Sequence, residues 1–438
     1  MDAILGTVFA VLGIGAYALL YRRTDDALHP LAIFAGFWLL IFGFAHLDVA
    51  RSYDEPYYAD PFGVLTYAVV LGALLSFAFG FWLADPGIQR LDRRTIGWRL
   101  EHGVAWPRLR ALTLGMFVVA SLMTAYFVQQ AGEIPLFSPR IDTLRTEFKL
   151  PLLGYVYDLH YAVALFSAML VVHSKSRAQK LLWGGLAGLS VFQLMFGGVR
   201  VSPMTALAWI IVFLFYRPTR VRVRHMVLAG VVAITVFTVI EDFRRTMYEV
   251  NPSLVNPRID LSAPATAWAH TAASFKNLQF TLERGVSPLN MGLNSYDLPK
   301  TFLPEARTVD DQISYMYGTH NTPTFLSFLY FDFGVGGLLV MPLVYGAMVG
   351  FVYRRFRTGA NLFWLIVYID FLLAVVLAFR THRFLGNALI WFMGIAVLSQ
   401  LAAGRGVEGG PPTDEADEGA AAEGLGDPAA PGRLGAPA

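Results

Sequence analysis

The chain of 438 residues is 55% hydrophobic, 14% aromatic and 15% charged, with a mean hydropathy of +0.51. This composition is typical of a helical integral membrane protein and excludes a set of soluble domains, although the length alone would allow several. The chain contains no cysteine, which excludes disulfides, thiolate metal sites and cysteine nucleophiles. The formal net charge of +2 becomes informative only when the charges are assigned to the two sides of a membrane.

Long apolar runs predict the secondary structure of the chain. Runs of about 17 to 23 apolar residues are long enough to cross a bilayer as helices. The first run follows no basic residue and precedes two arginines, so we expect a retained span and not a secretory signal. The predicted spans are 3–21, 30–47, 62–84, 111–129, 151–172, 181–197, 203–216, 226–240, 335–353, 360–379 and 385–402. The sequence therefore predicts an all-α, polytopic integral membrane protein with about 11 transmembrane helices.

Basic residues gather in alternate segments between these spans. Lysine and arginine are concentrated on the cytoplasmic side of membrane proteins, so segments that carry them are expected to share that side. The basic segments follow the first, third, fifth, seventh and ninth spans and comprise 22–23, 90–110, 175–180, 217–224 and 354–357. The pattern predicts a multi-pass protein of the cytoplasmic (plasma) membrane with its N-terminus outside and its C-terminus inside.

The longest segment between spans, residues 241–321, lies between the eighth and ninth spans and is predicted to be a large external loop. Long loops do not follow the charge rule, so its basic residues do not contradict this topology. Within the loop, Phe275, Leu278 and Leu282 recur at helical spacing. This spacing predicts an amphipathic helix over 264–283 that lies in the outer membrane interface.

Composition divides the chain into two parts. We expect residues 1–402, including the external loop, to form a single membrane domain. Residues 403–438 are rich in alanine, glycine, proline and acidic residues and contain no aromatic residue. Such a segment cannot bury a core, so we expect it to be a disordered acidic cytoplasmic tail.

The apolar stretch 322–353 is too long for one straight span. As a helix it would extend about 48 Å, whereas the hydrocarbon core is about 30 Å thick. A break at Asp332-Phe333-Gly334 would divide it into a half-helix that enters from outside and the true ninth span. Non-helical backbone at membrane depth is tolerated only against protein or a water-filled cavity, so the break indicates a functional site.

Five arginines lie in short loops that the topology places outside, where basic residues are normally scarce. Each has an ordinary interpretation, in which it reaches lipid headgroups or pairs with a neighbouring carboxylate. Their recurrence in three separate loops favours a cluster that binds a phosphate or pyrophosphate through bidentate guanidinium contacts. These candidate pyrophosphate-binding residues are Arg140, Arg145, Arg200, Arg380 and Arg383.

Ionisable residues inside predicted spans are costly, so each is a candidate functional group. Asp370 lies midway along the tenth span, and Asp158 and His160 lie in the fifth. A structural clamp between helices is the alternative role for either aspartate. His320 lies where the external loop re-enters the membrane, and it could accept a proton from a hydroxyl or only bond to the backbone. The candidate catalytic residues are His320, Asp158 and Asp370.

Several short motifs lead to no function. The DFG at 332–334 lacks every other kinase element, and the chain contains no P-loop and no GxSxG nucleophile elbow. No set of histidines and carboxylates has convincing metal-ligand spacing, so neither a metal nor a cofactor is expected. The basic run 217–224 is typical of a juxtamembrane segment that contacts anionic lipid, so no nucleic acid is expected as a partner.

Short segments on the predicted outer face resemble a known family. They are GEIPLFSPRIDTLR (132–145), FGGVR (196–200) and NTPTFLSFLYFDFGVGGLLVMPLVYG (321–346). With a long external loop before the last three spans, this order resembles the oligosaccharide repeat-unit polymerases of the O-antigen and capsule pathway, the Wzy type. The resemblance extends from the first span to about residue 400.

The resemblance implies a GT-C-like membrane glycosyltransferase that acts at the outer face of the cytoplasmic membrane. Such an enzyme transfers a growing glycan from its polyprenyl-pyrophosphate carrier to a new lipid-linked repeat unit, without nucleotide sugar or metal. The motif match implies pyrophosphate binding by Arg140, Arg145 and Arg200, and position in the layout adds the other two arginines and His320. The implied partners are polyprenyl-pyrophosphate-linked oligosaccharide and membrane lipids, and a chain-length regulator is left open.

Three other functions fit part of the sequence. A glycan ligase of the O-antigen ligase type shares the reaction and the layout and differs in its acceptor. A transporter or flippase for lipid-linked sugars often contains two similar halves, but residues 1–200 and 201–400 show no such repeat. A membrane O-acyltransferase would need acid–base groups on the cytoplasmic side, where the sequence clusters none. Polymerisation of lipid-linked repeat units is the function that the sequence favours.

Overall fold

The computed structural model describes residues 2–47, 61–87, 89–138, 144, 148, 153–199, 201–217, 273–285, 324–384 and 386–404. Within these residues the fold is helical, and extended backbone pairs only in an isolated bridge between Val104 and Ala403. The predicted all-α class is therefore confirmed for this part of the chain.

The helices of the described part follow the apolar runs of the sequence. In chain order they are α1 Asp2–Thr24, α2 Pro30–Ala45, α3 Val64–Ala84, α4 Arg93–His102, α5 Trp106–Ala131, α6 Leu153–Tyr157, α7 Leu159–His173, α8 Arg177–Met195, α9 Val201–Phe215, α10 Ala273–Arg284, α11 Phe325–Thr358, α12 Leu362–Leu377 and α13 Asn387–Ser399. Short 3-10 turns at Pro135–Phe137 and Gln400–Ala402 follow α5 and α13.

Helices occupy the predicted spans wherever the structure describes them. By length and composition, 5 of the described helices could cross a membrane: α1, α3, α5, the pair α6 and α7 together, and α11. Shorter apolar helices lie at Pro30–Ala45, Val201–Phe215, Leu362–Leu377 and Leu389–Ala402. The structure is therefore that of an integral membrane protein, while the number of eleven spans stays a prediction.

Three predicted features fall outside the described residues. They are the eighth span at 226–240, the part of the external loop other than 273–285, and the tail from residue 405 onwards. The predicted domain boundaries therefore stay predictions.

α3 and the second half of α11 pack backbone to backbone. A Cβ atom at Gly346 would overlap the carbonyl oxygen of Phe77, and one at Gly350 would lie 2.7 Å from the carbonyl oxygen of Phe81. Small residues allow membrane helices to approach this closely. Since the contacts advance by one turn on both helices in the same direction, the two helices are parallel, as the predicted third and ninth spans require.

Contacts between loops gather the basic segments at one end of the bundle, here called the basic end. Arg357 forms an ion pair with Asp85 at 2.9 Å, and Arg217 forms one with Glu101 at 3.5 Å. The backbone N–H of Ala105 bonds to the turn that follows α13. The segments after the third, seventh and ninth spans therefore share a side with the end of the last helix, as the charge pattern predicts.

A buried carboxylate joins several helices at the basic end. Asp26, in the turn between α1 and α2, is fully buried and accepts hydrogen bonds from the Leu28 N–H at 2.9 Å and the Tyr353 hydroxyl at 2.8 Å. The Tyr216 hydroxyl donates to the same carboxylate at 3.0 Å and lies 2.9 Å from the Tyr368 hydroxyl. Burial raises the pKa of Asp26, and these donors oppose the rise. The cluster connects the α1–α2 turn with α11, α12 and the end of α9.

α11 contains the break that the sequence predicts. Gly334 has φ 63° and ψ −154°, a backbone conformation that favours glycine because glycine has no Cβ. The break divides α11 into a first segment, 325–333, and a second segment, 335–358. The rings of Phe325 and Tyr345 lie 6.4 Å apart, so the first segment folds back along the second. The predicted break and the short helix before it are therefore confirmed, but the predicted entry from outside is wrong: the first segment starts beside Tyr345, inside the bundle, and runs away from the basic end.

The helix predicted within the external loop is present, but its predicted interfacial position is wrong. α10 covers part of 264–283, and its Phe275 ring packs 4.9 Å from the ring of Trp38 on α2. Its polar side is buried as well, with Lys276 Nζ 3.9 Å from the centre of the Phe62 ring. Amphipathic spacing shows which face is apolar, but not that neighbouring helices also cover the polar face.

Candidate active site at membrane depth

Three short helices place chain breaks inside the thickness of a bilayer. α12 starts at the basic end, and its 16 residues extend about 24 Å, less than the roughly 30 Å of the hydrocarbon core. α7 and α9, with 15 residues each, end at the basic end and extend about 22 Å from it. Asp158 before α7, the start of α9 and the connection 378–386 after α12 therefore lie at a similar depth, here called the site level.

The N-terminus of α11 reaches the same level. The backbone N–H of Phe325 donates to the carbonyl oxygen of Ala378, the first residue after α12, at 3.0 Å. Thr324 caps the helix, and its hydroxyl accepts from the Ser327 N–H at 3.4 Å. Both side chains are fully buried. A helix N-terminus carries a partial positive charge, so this end of α11 favours negative charge at the site level.

The connection 378–386 brings two predicted arginines towards a predicted aspartate. Arg380 and Arg383 are both partly buried, and the charge of Arg383 acts on the carboxyl group of Asp370 on α12. Asp370 is 5% exposed, and its Oδ2 atom has no hydrogen-bond partner among the described residues. A buried carboxylate oxygen without a donor is costly in a protein interior, so this group is not held by a completed hydrogen-bond network.

Asp158 belongs to the same neighbourhood. It lies between α6 and α7, is partly exposed, and its charge acts on the hydroxyl of Tyr161 one turn later. Tyr161 also interacts with the charge of Arg383 and forms a hydrogen bond with Ser202, in the first turn of α9. Through Tyr161 the structure therefore links Asp158, Arg383 and the helix that directly follows the position of Arg200.

Two segments that carry the family resemblance dock on each other. The Leu136 N–H, in the 3-10 turn after α5, donates to the carbonyl oxygen of Phe196 at 3.2 Å. The Tyr157 hydroxyl donates to the carbonyl oxygen of Gln193 at 2.6 Å, which fixes α6 to the end of α8. The PLF and FGG segments therefore meet beside Asp158.

His160, the other ionisable residue of the fifth span, is a core residue. Its side chain is fully buried, and Nε2 lies 3.1 Å from the hydroxyl of Thr124 on α5. The rings of Phe117 and Tyr157 pack against it. It therefore connects α7 to α5.

The structure adds two residues that the sequence analysis missed. His382, between the two arginines, is 9% exposed, and its Nε2 lies 2.8 Å from the hydroxyl of Tyr345 on the second segment of α11. The ring of Phe384 stacks on that of Tyr345 at 4.6 Å. The position of His382 between two arginines is the only signal in the sequence, and it does not reveal the tyrosine.

The predicted site residues fall into two groups. The structure brings Asp158, Asp370, Arg380 and Arg383 to one neighbourhood. The other predicted residues lie outside the described residues: Arg140, Arg145, Arg200 and His320. Across the part of the chain that is described, no group of three or more histidine or acidic side chains could hold a metal ion.

A bundle of apolar helices with charged residues at membrane depth defines a multi-pass integral membrane protein. The family model described as "Putative O-antigen polymerase" matches residues 32–379, which is most of the chain. The chain therefore belongs to the O-antigen polymerase family, as the resemblance implied. Neither the comparison with curated proteins nor that with solved structures returned a match. Membership gives the chain a role in O-antigen polysaccharide synthesis and a lipid-linked oligosaccharide as its class of substrate.

Proposed function

We propose that the protein polymerises polyprenyl-pyrophosphate-linked oligosaccharide repeat units into surface polysaccharide at the outer face of the cytoplasmic membrane. Family membership supports the substrate class, and the charge pattern supports an orientation with the N-terminus outside. The basic end is then cytoplasmic. Because the site level lies about 22 to 24 Å from that end, it falls in the outer half of the membrane.

The reaction is a glycosyl transfer with a good leaving group. A hydroxyl of the new lipid-linked repeat unit attacks the anomeric carbon of the growing glycan. The bond from that carbon to the pyrophosphate oxygen breaks, and polyprenyl pyrophosphate leaves with the electron pair. Such a leaving group needs fixed cations to stabilise its charge, and the acceptor hydroxyl needs a base to take its proton. Arginines can supply the cations without a metal or nucleotide, as in a GT-C-like glycosyltransferase.

The observation that carries the proposal is the unused donor capacity of Arg383. Its Nη1 atom is buried and has no hydrogen-bond partner among the described residues. A guanidinium group binds phosphate oxygens through parallel hydrogen bonds, and an unsatisfied charged donor is costly at membrane depth. We assign Arg383 and Arg380 to the pyrophosphate, with Asp370 as the counter-charge that keeps Arg383 in place.

The remaining assignments extend the site to the neighbouring loops. Arg140, Arg145 and Arg200 follow the PLF and FGG segments in sequence, and we assign them to the same pyrophosphate. We keep Asp158 and His320 as candidates for the base, Asp158 from its place beside Tyr161 and His320 from its position in the sequence. Membrane lipids surround the bundle, and a chain-length regulator is a further proposed partner.

The product formed by the purified protein tests this function. The full chain is reconstituted in lipid vesicles with a synthetic polyprenyl-pyrophosphate oligosaccharide, and the lipid-linked products are separated by size. A polymerase yields a ladder of repeats on polyprenyl pyrophosphate. A ligase yields product only when a second acceptor is supplied, and a flippase yields no new covalent product. Either of the last two results would contradict the proposal.

Two matched variants test the role of Arg383. Arg383→Ala removes the proposed pyrophosphate contact, and we expect the rate of ladder formation to fall by about 100-fold, as for loss of one fixed electrostatic donor. Arg355→Ala removes an exposed arginine at the basic end and should leave the rate unchanged. Equal rates in the two variants, at equal protein levels, would refute the assignment.

A further inference from the structure

His382 is an ionisable residue at the site level that the proposed function has not used. It lies between Arg380 and Arg383 in the connection 378–386, so it is within two residues of both proposed pyrophosphate ligands. Histidine is the side chain best suited to exchange protons near neutral pH. Its position therefore places a proton acceptor beside the cations that would hold the leaving group.

The surroundings of His382 fix the orientation of its ring. Nε2 lies 2.8 Å from the hydroxyl of Tyr345, which is fully buried on the second segment of α11. The Phe384 ring stacks on Tyr345 at 4.6 Å, and the Phe328 ring lies 6.0 Å from the imidazole. When Nε2–H donates to the tyrosine oxygen, Nδ1 carries the lone pair, because a neutral imidazole has one donor and one acceptor nitrogen.

The connection that carries His382 is itself fixed at both ends. Ala378 accepts the hydrogen bond from the N–H of Phe325, and the rings of Phe325 and Phe384 lie 5.8 Å apart. Both segments of α11 therefore contact the connection. A base has to be positioned within hydrogen-bond reach of one hydroxyl, and this packing restricts where the imidazole can lie.

We propose that His382 is the general base of the glycosyl transfer and that Tyr345 is the residue that positions it. This inference rests on the proposed function. The acceptor hydroxyl gives its proton to Nδ1 of His382 while its oxygen forms the new bond to the anomeric carbon. The bond from that carbon to pyrophosphate breaks, and its electron pair leaves with the pyrophosphate that the arginines hold. His382 then releases the proton to water.

The two aspartates among the predicted catalytic residues are less suited to this role. Asp370 lies eight residues before Ala378 on α12, which places it about 12 Å deeper in the membrane. The charge of Arg383 acts on it, so we assign it to the arginine rather than to a sugar hydroxyl. Asp158 belongs to a different helix and acts on Tyr161. His382 alone among the three shares one short connection with both arginines.

The substitution His382→Gln distinguishes a general base from a residue that only supports the structure. The amide of His382→Gln can reach Tyr345 as Nε2 does, but it cannot take up a proton. Tyr345→Phe is the matched control, because it removes the hydrogen bond and keeps the imidazole. Membrane insertion and thermal stability in detergent are measured for both variants, so that misfolded protein is not scored as inactive.

The readout is the rate of repeat-unit coupling as a function of pH, with saturating lipid-linked donor. We expect His382→Gln to lower the maximal rate by about 100-fold and to remove the fall in rate at low pH, because a base must be unprotonated to act. Tyr345→Phe should lower the rate by about 10-fold or less and keep that fall. The affinity for the lipid-linked glycan donor should stay unchanged in His382→Gln and weaken in Arg383→Ala.

Other ionisable groups face this region and define the controls. Tyr345 faces His382 from the second segment of α11, and Asp332 lies one turn after Phe328 on the first segment. Among the described residues, the connection adds Arg380 and Arg383, and α12 adds Asp370. Asp332→Asn is therefore tested as well, and its pH profile should match that of the parent protein.

The outcomes distinguish this inference from the proposed function. If the parent protein forms no ladder, the proposed function itself is wrong. If the parent forms a ladder and His382→Gln couples repeats within about threefold of the parent rate, or keeps the low-pH fall, His382 is not the base. The same conclusion follows if His382→Ala abolishes repeat-unit coupling and His382→Gln couples repeats at the parent rate.

Discussion

Two buried carboxylates, one at the basic end and one deeper in the bundle, are held in opposite ways. Asp26 is fully buried and accepts hydrogen bonds from a backbone N–H and two tyrosine hydroxyls. Asp370 is almost as buried, yet its Oδ2 has no hydrogen-bond partner among the described residues, and Arg383 acts on it through charge. A completed network holds helices together, whereas an incomplete one leaves donors and acceptors for a ligand.

This difference separates stability from activity in the same bundle. The Asp26 cluster connects elements at the end opposite to the predicted chemistry, and its removal should loosen the fold. Asp370 itself has no hydrogen-bond partner for Oδ2 among the described residues, so its neutralisation should change the reaction instead. Substitutions at the two places therefore test whether the comparison is correct.

Loss of the arginines in the loops around the site should have the largest effect. We expect Arg145→Ala or Arg200→Ala to abolish long-chain product while protein level and membrane insertion stay intact, because each removes a cation that we propose binds the leaving group. Chain length is measured on the polysaccharide formed in cells that depend on this protein. Normal chain lengths in both variants would refute the assignment of these arginines.

Neutralising Asp370 should have an intermediate effect on activity and little effect on stability. Asp370→Asn keeps the side-chain shape and removes the counter-charge of Arg383, so we expect coupling to slow by about 10-fold through a misplaced guanidinium. The midpoint of thermal unfolding should change little, because Oδ2 of Asp370 has no hydrogen-bond partner among the described residues to lose. A lower midpoint with an unchanged rate would show that Asp370 is a structural clamp.

Neutralising Asp26 should lower the stability of the protein and leave its activity unchanged, and we expect this effect to be the smallest of the three. Asp26→Asn replaces one acceptor oxygen by a donor that faces a tyrosine hydroxyl, and we expect a loss of about 1 to 3 kcal/mol in the free energy of unfolding. The coupling rate per folded molecule should stay unchanged. Thermal unfolding and activity are measured on the same preparation, and an activity loss without a stability loss would reverse the comparison.

Features that depend on local composition could be predicted from the sequence. The apolar runs fixed the helices because a bilayer requires a minimum apolar length. The excess length of 322–353 indicated a break, and glycine in DFG indicated its place at Gly334. A charged side chain inside or beside a membrane span is costly, so it indicates a functional role. This argument identified four residues of the candidate site, namely Asp158, Asp370, Arg380 and Arg383.

Features that depend on partners distant in sequence were not predictable. Tyr345 and His382 are 37 residues apart, and the hydroxyl donors to Asp26 come from residues 190 and 327 positions away. No periodicity in a single sequence encodes such pairs. The burial of α10 was missed for the same reason, since its polar side is covered by helices whose positions its own sequence does not specify.

The folded-back first segment of α11 connects the chain that precedes it to the connection 378–386. Thr324 is the cap of that segment and follows the loop directly, while the next residue bonds to Ala378, two positions before Arg380. Displacement of the loop by a bound glycan would therefore be transmitted to the arginines through one cap residue and one hydrogen bond. Among the described residues, Thr324 and this hydrogen bond therefore connect the start of α11 to the residues that precede Arg380.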